Sequence, residues 1–280
     1  GWSRSARRLA FLHQRNLRPE LAEVTLRAAL RHDPLDAVLL ADLAEAAWGR
    51  QAPDEAFAWV ERAIRLIPGF DRPWELLLQW SNVTAEPERV LTLAEQLSAT
   101  RPGDTSLRLR VVRKLVDDQR LDDALSRTRT ALGDDPTHID AHDLHAYILS
   151  RLGRYDEALA ACAPPVFKQA RPRELLGRAA WIERQRGNHP RAIHLMISVV
   201  TEHPDYYWAW QTLADWHEEA GDIDRAKEAA ERMAAMNPSS PYPLGYLASL
   251  ELRAGSRANA IAHLQRAIRI DPGYSYGTFT

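Results

Sequence analysis

Proline recurs every 34 residues along almost the whole of this 280-residue chain. Proline lacks an N–H group and disfavours helix in the residue before it, so each of these residues ends one helix and leads into the next. Position 170 is the one exception in this series: it is Ala170, and Pro172 follows two residues later. So regular a spacing predicts a chain of repeated units. The prolines in register are Pro34, Pro68, Pro102, Pro136, Pro204, Pro238 and Pro272.

Alanine and glycine keep the same register. Alanine lies 12 residues before the prolines, with Val90 the one exception, and its small side chain lets two helices approach closely. Glycine, in the second half, suits a tight turn between two helices. Four aspartates are predicted to cap the second helix of their units: Asp54, Asp122, Asp156 and Asp224. The alanines and glycines in register are Ala22, Ala56, Ala124, Ala158, Ala192, Ala226, Ala260, Gly153, Gly187, Gly221 and Gly255.

Between these marks the apolar residues follow helical spacing. In the segment 207–240, Trp210 and Leu213 and then Ala226 and Ala230 are separated by three or four residues. A 34-residue helical period with this content resembles the tetratricopeptide repeat. The resemblance implies an all-α, right-handed superhelical solenoid of about eight helix-turn-helix repeats, forming a single domain over 1–280. The predicted units are 3–36, 37–70, 71–104, 105–138, 139–172, 173–206, 207–240 and 241–274.

Residues 275–280 begin a ninth unit and then stop. A half-begun helix leaves the apolar face of its neighbour open, whereas solenoids close with a polar capping element. We therefore expect the natural protein to continue beyond Thr280, and we expect uncapped terminal repeats to allow self-association.

The fifth unit breaks the pattern. Pro164 and Pro165 fall inside its expected second helix, where an interior proline costs about 3 kcal/mol. The helix is therefore predicted to end near Ala163, with an irregular segment to about Pro172. Two interpretations stay open: sequence drift that a modular fold tolerates, or a flexible seam where the curvature of the solenoid changes.

Three histidines at the start of the fifth unit have the spacing of a metal site. His138, His142 and His145 would form one stripe on a helix, which could bind zinc. However, the last two occupy positions that pack inward in the other units, and no cysteine or second histidine pair is nearby. We therefore predict a buried pair satisfied by neighbouring acids, with no metal and no cofactor.

Composition and the absence of certain motifs argue against several classes of function. The net charge of -2 gives no reason to expect nucleic acid or an anionic membrane as partner. No apolar stretch approaches the roughly 18 residues that a membrane span needs. The single cysteine, Cys162, fits a reducing compartment, and we expect a cytoplasmic protein. We find neither a glycine-rich phosphate loop nor a nucleophile in a recognisable setting, so no enzyme activity is predicted for this segment.

The resemblance places the first helix of each unit on the concave groove of the solenoid. Positions 2, 5, 9 and 12 share one helical stripe there, with 6 and 13 beside them. Tryptophan and tyrosine, which bury much area and keep a polar group, gather on this stripe in the second half, and arginines in the first half and middle. The competing interpretation is that the arginines are a solvated face and the aromatic residues pack between units. The predicted binding residues are Arg110, Arg113, Tyr147, Arg178, Trp181, Arg184, Trp208, Gln211, Tyr242 and Tyr246.

These observations predict a scaffold that binds a peptide or protein segment in its groove. No ladder of asparagines lies along the stripe, so the carboxylate clamp and the glycosyltransferase-type backbone grip of similar repeats do not carry over. The alternative is the substrate-recruiting arm of a larger enzyme, such as a transferase, whose catalytic domain lies outside this chain.

Overall fold

The computed structural model describes residues 2–16, 18–86, 88–101 and 103–274, apart from the side chains of Gln14 and Pro19. Within these ranges the chain forms sixteen α-helices and one short 3-10 helix, with no strand. The predicted start of a ninth unit at 275–280 and the proline at 102 lie outside the described residues. No helix of the described part combines the length and the apolar character that a membrane span requires.

The chain divides into two compact units, Gly1–Pro136 and Thr137–Thr280. The expectation of one domain over 1–280 remains a prediction. The helices of the first unit are α1 (Trp2–Arg15), α2 (Pro19–His32), α3 (Ala37–Gly49), α4 (Pro53–Leu66), α5 (Asp71–Val83), α6 (Glu88–Thr100), α7 (Thr105–Asp117) and α8 (Leu121–Asp134). Those of the second unit are α9 (Ile139–Arg151), α10 (Tyr155–Ala161), α11 (Arg173–Gln185), α12 (His189–Glu202), α13 (Tyr207–Glu219), α14 (Ile223–Met236), α15 (Tyr242–Arg253) and α16 (Arg257–Ile270).

Consecutive helices pair as hairpins, and each hairpin packs on the next within its unit. The alanines in register are buried in this packing: Ala56, Ala124, Ala192 and Ala226 have no exposed surface. At such positions the absence of a larger side chain lets the two helices of a hairpin approach closely.

The turn between the two helices of a hairpin requires a left-handed residue. In the sixth repeat Gly187, with a φ of 90°, donates its N–H to the carbonyl of Arg184 at 2.9 Å, and Asn188 donates to Glu183 at 2.8 Å. Two bonds of this kind close the exposed end of a helix and need a positive φ between them. Glycine adopts that conformation without steric cost.

The capping role predicted for the four aspartates was wrong. Each is the second residue of its helix, two places beyond the capping position. The residue that precedes α14 is Asp222, and its side chain accepts from the backbone N–H of Arg225 at 3.2 Å. The four predicted residues instead place negative charge in the first turn, which the helix dipole favours. They are Asp54, Asp122, Asp156 and Asp224.

The irregular segment of the fifth repeat is confirmed. Helix α10 ends at Ala161, two residues before the predicted end, and a 3-10 helix follows at Pro165–Phe167 before α11 begins at Arg173. The ring of Phe167 meets the buried ring of His142 edge-on, with 5.6 Å between the ring centres. The segment therefore covers part of the core that the missing helical turns would have covered.

Candidate functional site

Aromatic side chains form a row on the first helices of the second unit. Tyr147 of α9 and Trp181 of α11 have ring centres 5.5 Å apart at an angle of 44°. Next along, Trp208 of α13 lies against Tyr206 at 5.7 Å. All four side chains are half-buried, so they contact one another and still reach solvent. Aromatic pairs of this geometry add stability beyond the area they bury.

Arg178 holds the first pair of rings. Its guanidinium donates to both carboxylate oxygens of Asp143 at 2.7 Å, and it lies 5.1 Å from the ring of Tyr147 and 5.2 Å from that of Trp181. Burial lowers the pKa of Arg178, but the hydrogen bonds from it to Asp143 raise that pKa more, so the group stays charged. A bidentate pair stacked on two rings is geometrically specific. Arg178 therefore fixes the orientation of both aromatic side chains.

Trp208 approaches the backbone of α11. A methyl group built on Gly177 would come within 2.7 Å of the ring atom Cζ3 of Trp208 and 3.4 Å of Tyr206. The absence of a side chain at Gly177 is therefore what allows the indole to lie against the helix.

Carboxylates cluster at the end of α13. Glu219 pairs with Arg184, whose guanidinium also lies 5.2 Å from the ring of Trp216. Glu218 accepts from the hydroxyl of Tyr246 at 2.7 Å. Burial, and then the charge of Glu218, raises the pKa of Asp215. Burial and the bond to Glu218 likewise raise the pKa of the Tyr246 hydroxyl. This end of the row is polar and slightly acidic.

Two predicted residues are open to solvent. Gln211 is exposed one turn beyond Trp208, and Tyr242 is 71% exposed, with its ring edge-on to that of Tyr274 at 5.5 Å. Together with Tyr147, Trp181, Trp208 and Tyr246, they lie on first helices of one unit, as the sequence pattern predicts.

Arg110 and Arg113 belong to the first unit. They line a cavity of about 200 Å³ with Trp74, and the Arg110 guanidinium pairs with Asp71 and lies 5.5 Å from the ring of Trp74. Arg113 is exposed.

The histidine stripe is not a ligand set here. The Nδ1 atom of His138 accepts from the backbone N–H of Ala141 at 3.4 Å and caps α9, while His142 packs on Phe167. Among the residues that the structure describes, no group of three or more His, Cys, Asp or Glu side chains is placed to hold a metal ion.

Sequence reasoning missed the ion pairs between successive first helices. Positions 5 and 6, or 12 and 13, of neighbouring repeats face each other, so opposite charges 35 residues apart meet. These pairs could have been predicted from the sequence, because their spacing of 35 residues is one more than the repeat length. The pairs are Arg7 with Asp42, Asp143 with Arg178, Arg184 with Glu219, and Glu218 with Arg253.

Two family models of the tetratricopeptide repeat match the chain, over residues 8–69 and 183–250. The chain is a tetratricopeptide-repeat protein. This confirms the family and the all-α repeat solenoid that the proline spacing predicts. The repeats make it a scaffold for protein–protein interaction. No curated protein matches the sequence.

Solved structures of repeat proteins agree with the fold. The yeast protein Tom70 matches at 14% identity and a TM-score of 0.62, over 93% of this chain and 57% of its own. PilW, described as a widely conserved type IV pilus biogenesis factor, matches at 14% identity and a TM-score of 0.51, over 73% of this chain and 95% of its own. At such identities the likeness concerns the fold alone, and the tetratricopeptide assignment rests on the family match.

Proposed function

We propose that the protein binds a peptide segment of another protein on the first-helix face of its second unit, with Tyr147, Trp181 and Trp208 as the main contacts. The observation that supports this most directly is the row of half-buried aromatic rings. Their sides are held by Arg178 and Tyr206, so little conformational freedom remains to be lost when a partner binds. Rigid aromatic groups with solvent-reachable edges are typical binding hot spots.

The arginines of this face have a different role in the proposal. The charges of Arg178 and Arg184 are matched by Asp143 and Glu219, so a partner gains little by offering them a further carboxylate. They position the aromatic residues. Specific polar contacts come from the exposed side chains of Gln211 and Tyr242, and from Tyr246 beside Glu218.

The first unit has a smaller contact site of its own. The cavity beside Trp74, with Arg110 and Arg113 on its wall, is large enough for one side chain of a partner. Because Asp71 and Glu75 line it as well, its charge is mixed, and we propose that it selects a side chain with both polar and apolar parts.

Trp208 and Trp210 offer a matched test on one helix. Both are half-buried, but Trp210 lies on another side of α13 and donates its indole N–H to the carbonyl of Pro204 at 3.0 Å. Peptides are selected from a displayed random library against the wild-type protein, and their affinities for Trp208→Ala and Trp210→Ala are measured by fluorescence anisotropy.

We expect Trp208→Ala to weaken binding by about 30-fold, as at a hot spot, and Trp210→Ala by less than about threefold. Circular dichroism verifies that both variants remain helical. Equal losses in the two variants, or selected peptides that bind Trp208→Ala as well as wild type, would refute this site.

A further inference from the structure

A cavity lies between the second helices of the first two repeats. It has a volume of about 630 Å³ and is bounded by α2, by the proline that follows it, and by α4. None of the described residues that line it carries a carboxylate. We name this cavity the arginine cleft. Its main lining residues are Val24, Arg27, Arg31, Pro34, Trp59 and Arg62.

The cleft lies on a side of the second helix that every repeat exposes. Position 22 of a repeat, which is Val24 in the first, is exposed in all eight repeats, including those with a neighbour on either side. Position 29, which is Arg31 in the first, is exposed in seven of them. The opening therefore belongs to the repeat architecture and does not depend on what precedes α1. The residues at position 22 are Val24, Ala58, Thr92, Ser126, Ala160, His194, Glu228 and Ala262.

At one end of the cleft the charges are already balanced. Arg27 pairs with Glu23 and Glu55, and the same two carboxylates pair with Arg50. The guanidinium of Arg27 also lies 5.4 Å from the centre of the Trp59 ring. The indole N–H of Trp59 donates to Glu55 at 3.2 Å. These contacts hold Trp59 in one orientation as the apolar wall of the cleft.

The other two arginines of the cleft have no carboxylate partner. Arg62 donates to the backbone carbonyl of Pro34 at 3.2 Å and lies 5.8 Å from the ring of Trp59. Arg31 is exposed, and in the described part of the chain neither it nor Arg62 takes part in an ion pair. A guanidinium has several N–H donors, so the bond to one carbonyl leaves others for a ligand. Like charges on one cavity repel each other, and an anion between them offsets that repulsion.

The next pair of repeats has a different arrangement at the same positions. The equivalent of Arg31 there is Arg65, which forms an ion pair with Glu61 at 3.7 Å. The equivalent of Arg62 is Gln96, which accepts from Arg65 at 3.2 Å. The single arginine of that pair is thus matched within the fold, whereas the arginine cleft has two cations without a counter-charge.

We propose that the arginine cleft binds a short acidic segment of a partner protein. A carboxylate of that segment meets Arg31 and Arg62, and a neighbouring apolar or aromatic side chain packs on Trp59. Carboxylates accept paired bonds from a guanidinium, and tryptophan and arginine together are typical of binding hot spots. The volume of the cleft suffices for more than one side chain.

The charge of the cleft favours a protein segment over a nucleic acid. Only two of its arginines lack a counter-charge, whereas a nucleic acid binds along a longer series of cations. The site lies on second helices of the first unit, and the aromatic row lies on first helices of the second. It is therefore a second site, which does not rest on the function proposed for the row.

The probes are short peptides selected from a displayed random library. The selection uses the Trp208→Ala variant, so that the aromatic row does not dominate it. Fluorescence anisotropy then measures the affinity of each selected peptide for wild type and for Arg31→Gln/Arg62→Gln, which we name the cleft variant.

A control variant changes arginines at the same two repeat positions elsewhere. It is Arg65→Gln/Arg232→Gln, in which Arg65 is at position 29 of the second repeat and Arg232 at position 26 of the seventh. A third variant, Trp59→Leu, removes the ring and keeps an apolar side chain at the wall. Circular dichroism verifies that all three remain helical.

We expect the selected peptides to be enriched in glutamate or aspartate beside a large apolar residue. Their binding should weaken about tenfold in the cleft variant and less than about twofold in the control variant, and it should weaken with added salt. Trp59→Leu should weaken it as well. Trp208→Ala and wild type should bind these peptides equally, so that failure of this proposal and failure of the aromatic site are distinguishable.

Two results would overturn the proposal. One is that the cleft variant and the control variant bind every selected peptide equally well. The other comes from calorimetry with inorganic pyrophosphate: if this anion binds wild type but not the cleft variant, and no selected peptide distinguishes the two proteins, the cleft is a site for a small phosphate-bearing molecule.

Discussion

The two units build the same hairpin turn from different residues. At the fifteenth position of each repeat the second unit has glycine, with φ between 74° and 90°. The first unit has a residue with a side chain at three of these positions, Gln51, Ala85 and Gln119, with φ of 62°, 57° and 61°. The hairpin turn therefore requires the left-handed conformation. The residue at this position determines only how much free energy that conformation costs.

The ion pairs between successive repeats differ as well. In the second unit the Arg178–Asp143 pair is enclosed by aromatic rings, with Arg178 only 18% exposed. In the first unit the pair between the second helices α6 and α8 is open: the Arg127 and Glu95 side chains are 54% and 40% exposed. An enclosed ion pair interacts more strongly than a solvated one. Removing one of its partners leaves the other charge poorly hydrated, which destabilises the fold. Ion pairs between successive repeats therefore differ in their contribution to stability.

The largest expected effect is at the enclosed pair. Asp143→Asn removes the charge that Arg178 meets, and we expect it to lower the free energy of unfolding by about 2 kcal/mol. The amide keeps the shape of the carboxylate, so the loss reports charge rather than packing. Chemical denaturation followed by circular dichroism measures it, and tryptophan fluorescence should change too, because Trp181 loses its fixed neighbour.

Glu95→Gln is the matched change in the first unit, with the same chemistry at an open pair. We expect an effect below about 0.5 kcal/mol. Losses of equal size in the two variants would show that the rings around Arg178 do not shield it.

The turns give the next largest effect, with opposite signs in the two units. Gly187→Ala places a methyl group at a φ of 90° and should destabilise the second unit by about 1 kcal/mol. Ala85→Gly relieves the same strain in the first unit and should stabilise it, by less than about 1 kcal/mol, because glycine also has more freedom when unfolded.

Hydrogen exchange of the amides that follow each turn assigns the change to its own unit. If Ala85→Gly lowered protection in the first unit, the strain at that turn would be smaller than the entropy that glycine loses on folding, and the comparison of the two kinds of turn would fail.

The fold could be predicted from the sequence because each repeat has its own proline, alanine or glycine at fixed positions. Proline and glycine constrain the backbone directly, so the repeat boundaries and the break after Ala161 follow from the residues themselves. The predicted aspartate caps failed by two residues, which is within the usual uncertainty of a helix end.

The site was only partly readable. The sequence placed Tyr147, Trp181 and Trp208 on one face, where the structure has them. It did not reveal that Arg178 and Arg184 are matched by carboxylates of neighbouring repeats, because that depends on which positions of two helices meet. The repeat period fixes the order of the helices, while the one-residue offset between facing positions comes from their packing.

A buried histidine supplies the smallest contrast between the units. His217, at the eleventh position of its repeat, is buried in α13, and burial lowers its pKa below the ordinary value of 6.5. The equivalent residues of the second to fourth repeats, Ala47, Ser81 and Leu115, do not titrate, and that of the first repeat is His13, which is only half-buried. Between the folded pKa and 6.5 the unfolded state binds more protons, so stability contributed by neutral His217 is present above about pH 6.5 and is lost as the pH falls below it.

His217→Gln should therefore lose less thermal stability than wild type between pH 7.5 and pH 5.5, with the other histidines cancelling in the difference. Thermal unfolding at the two pH values measures this, and an identical loss in both proteins would mean that His217 is not the group that resists protonation.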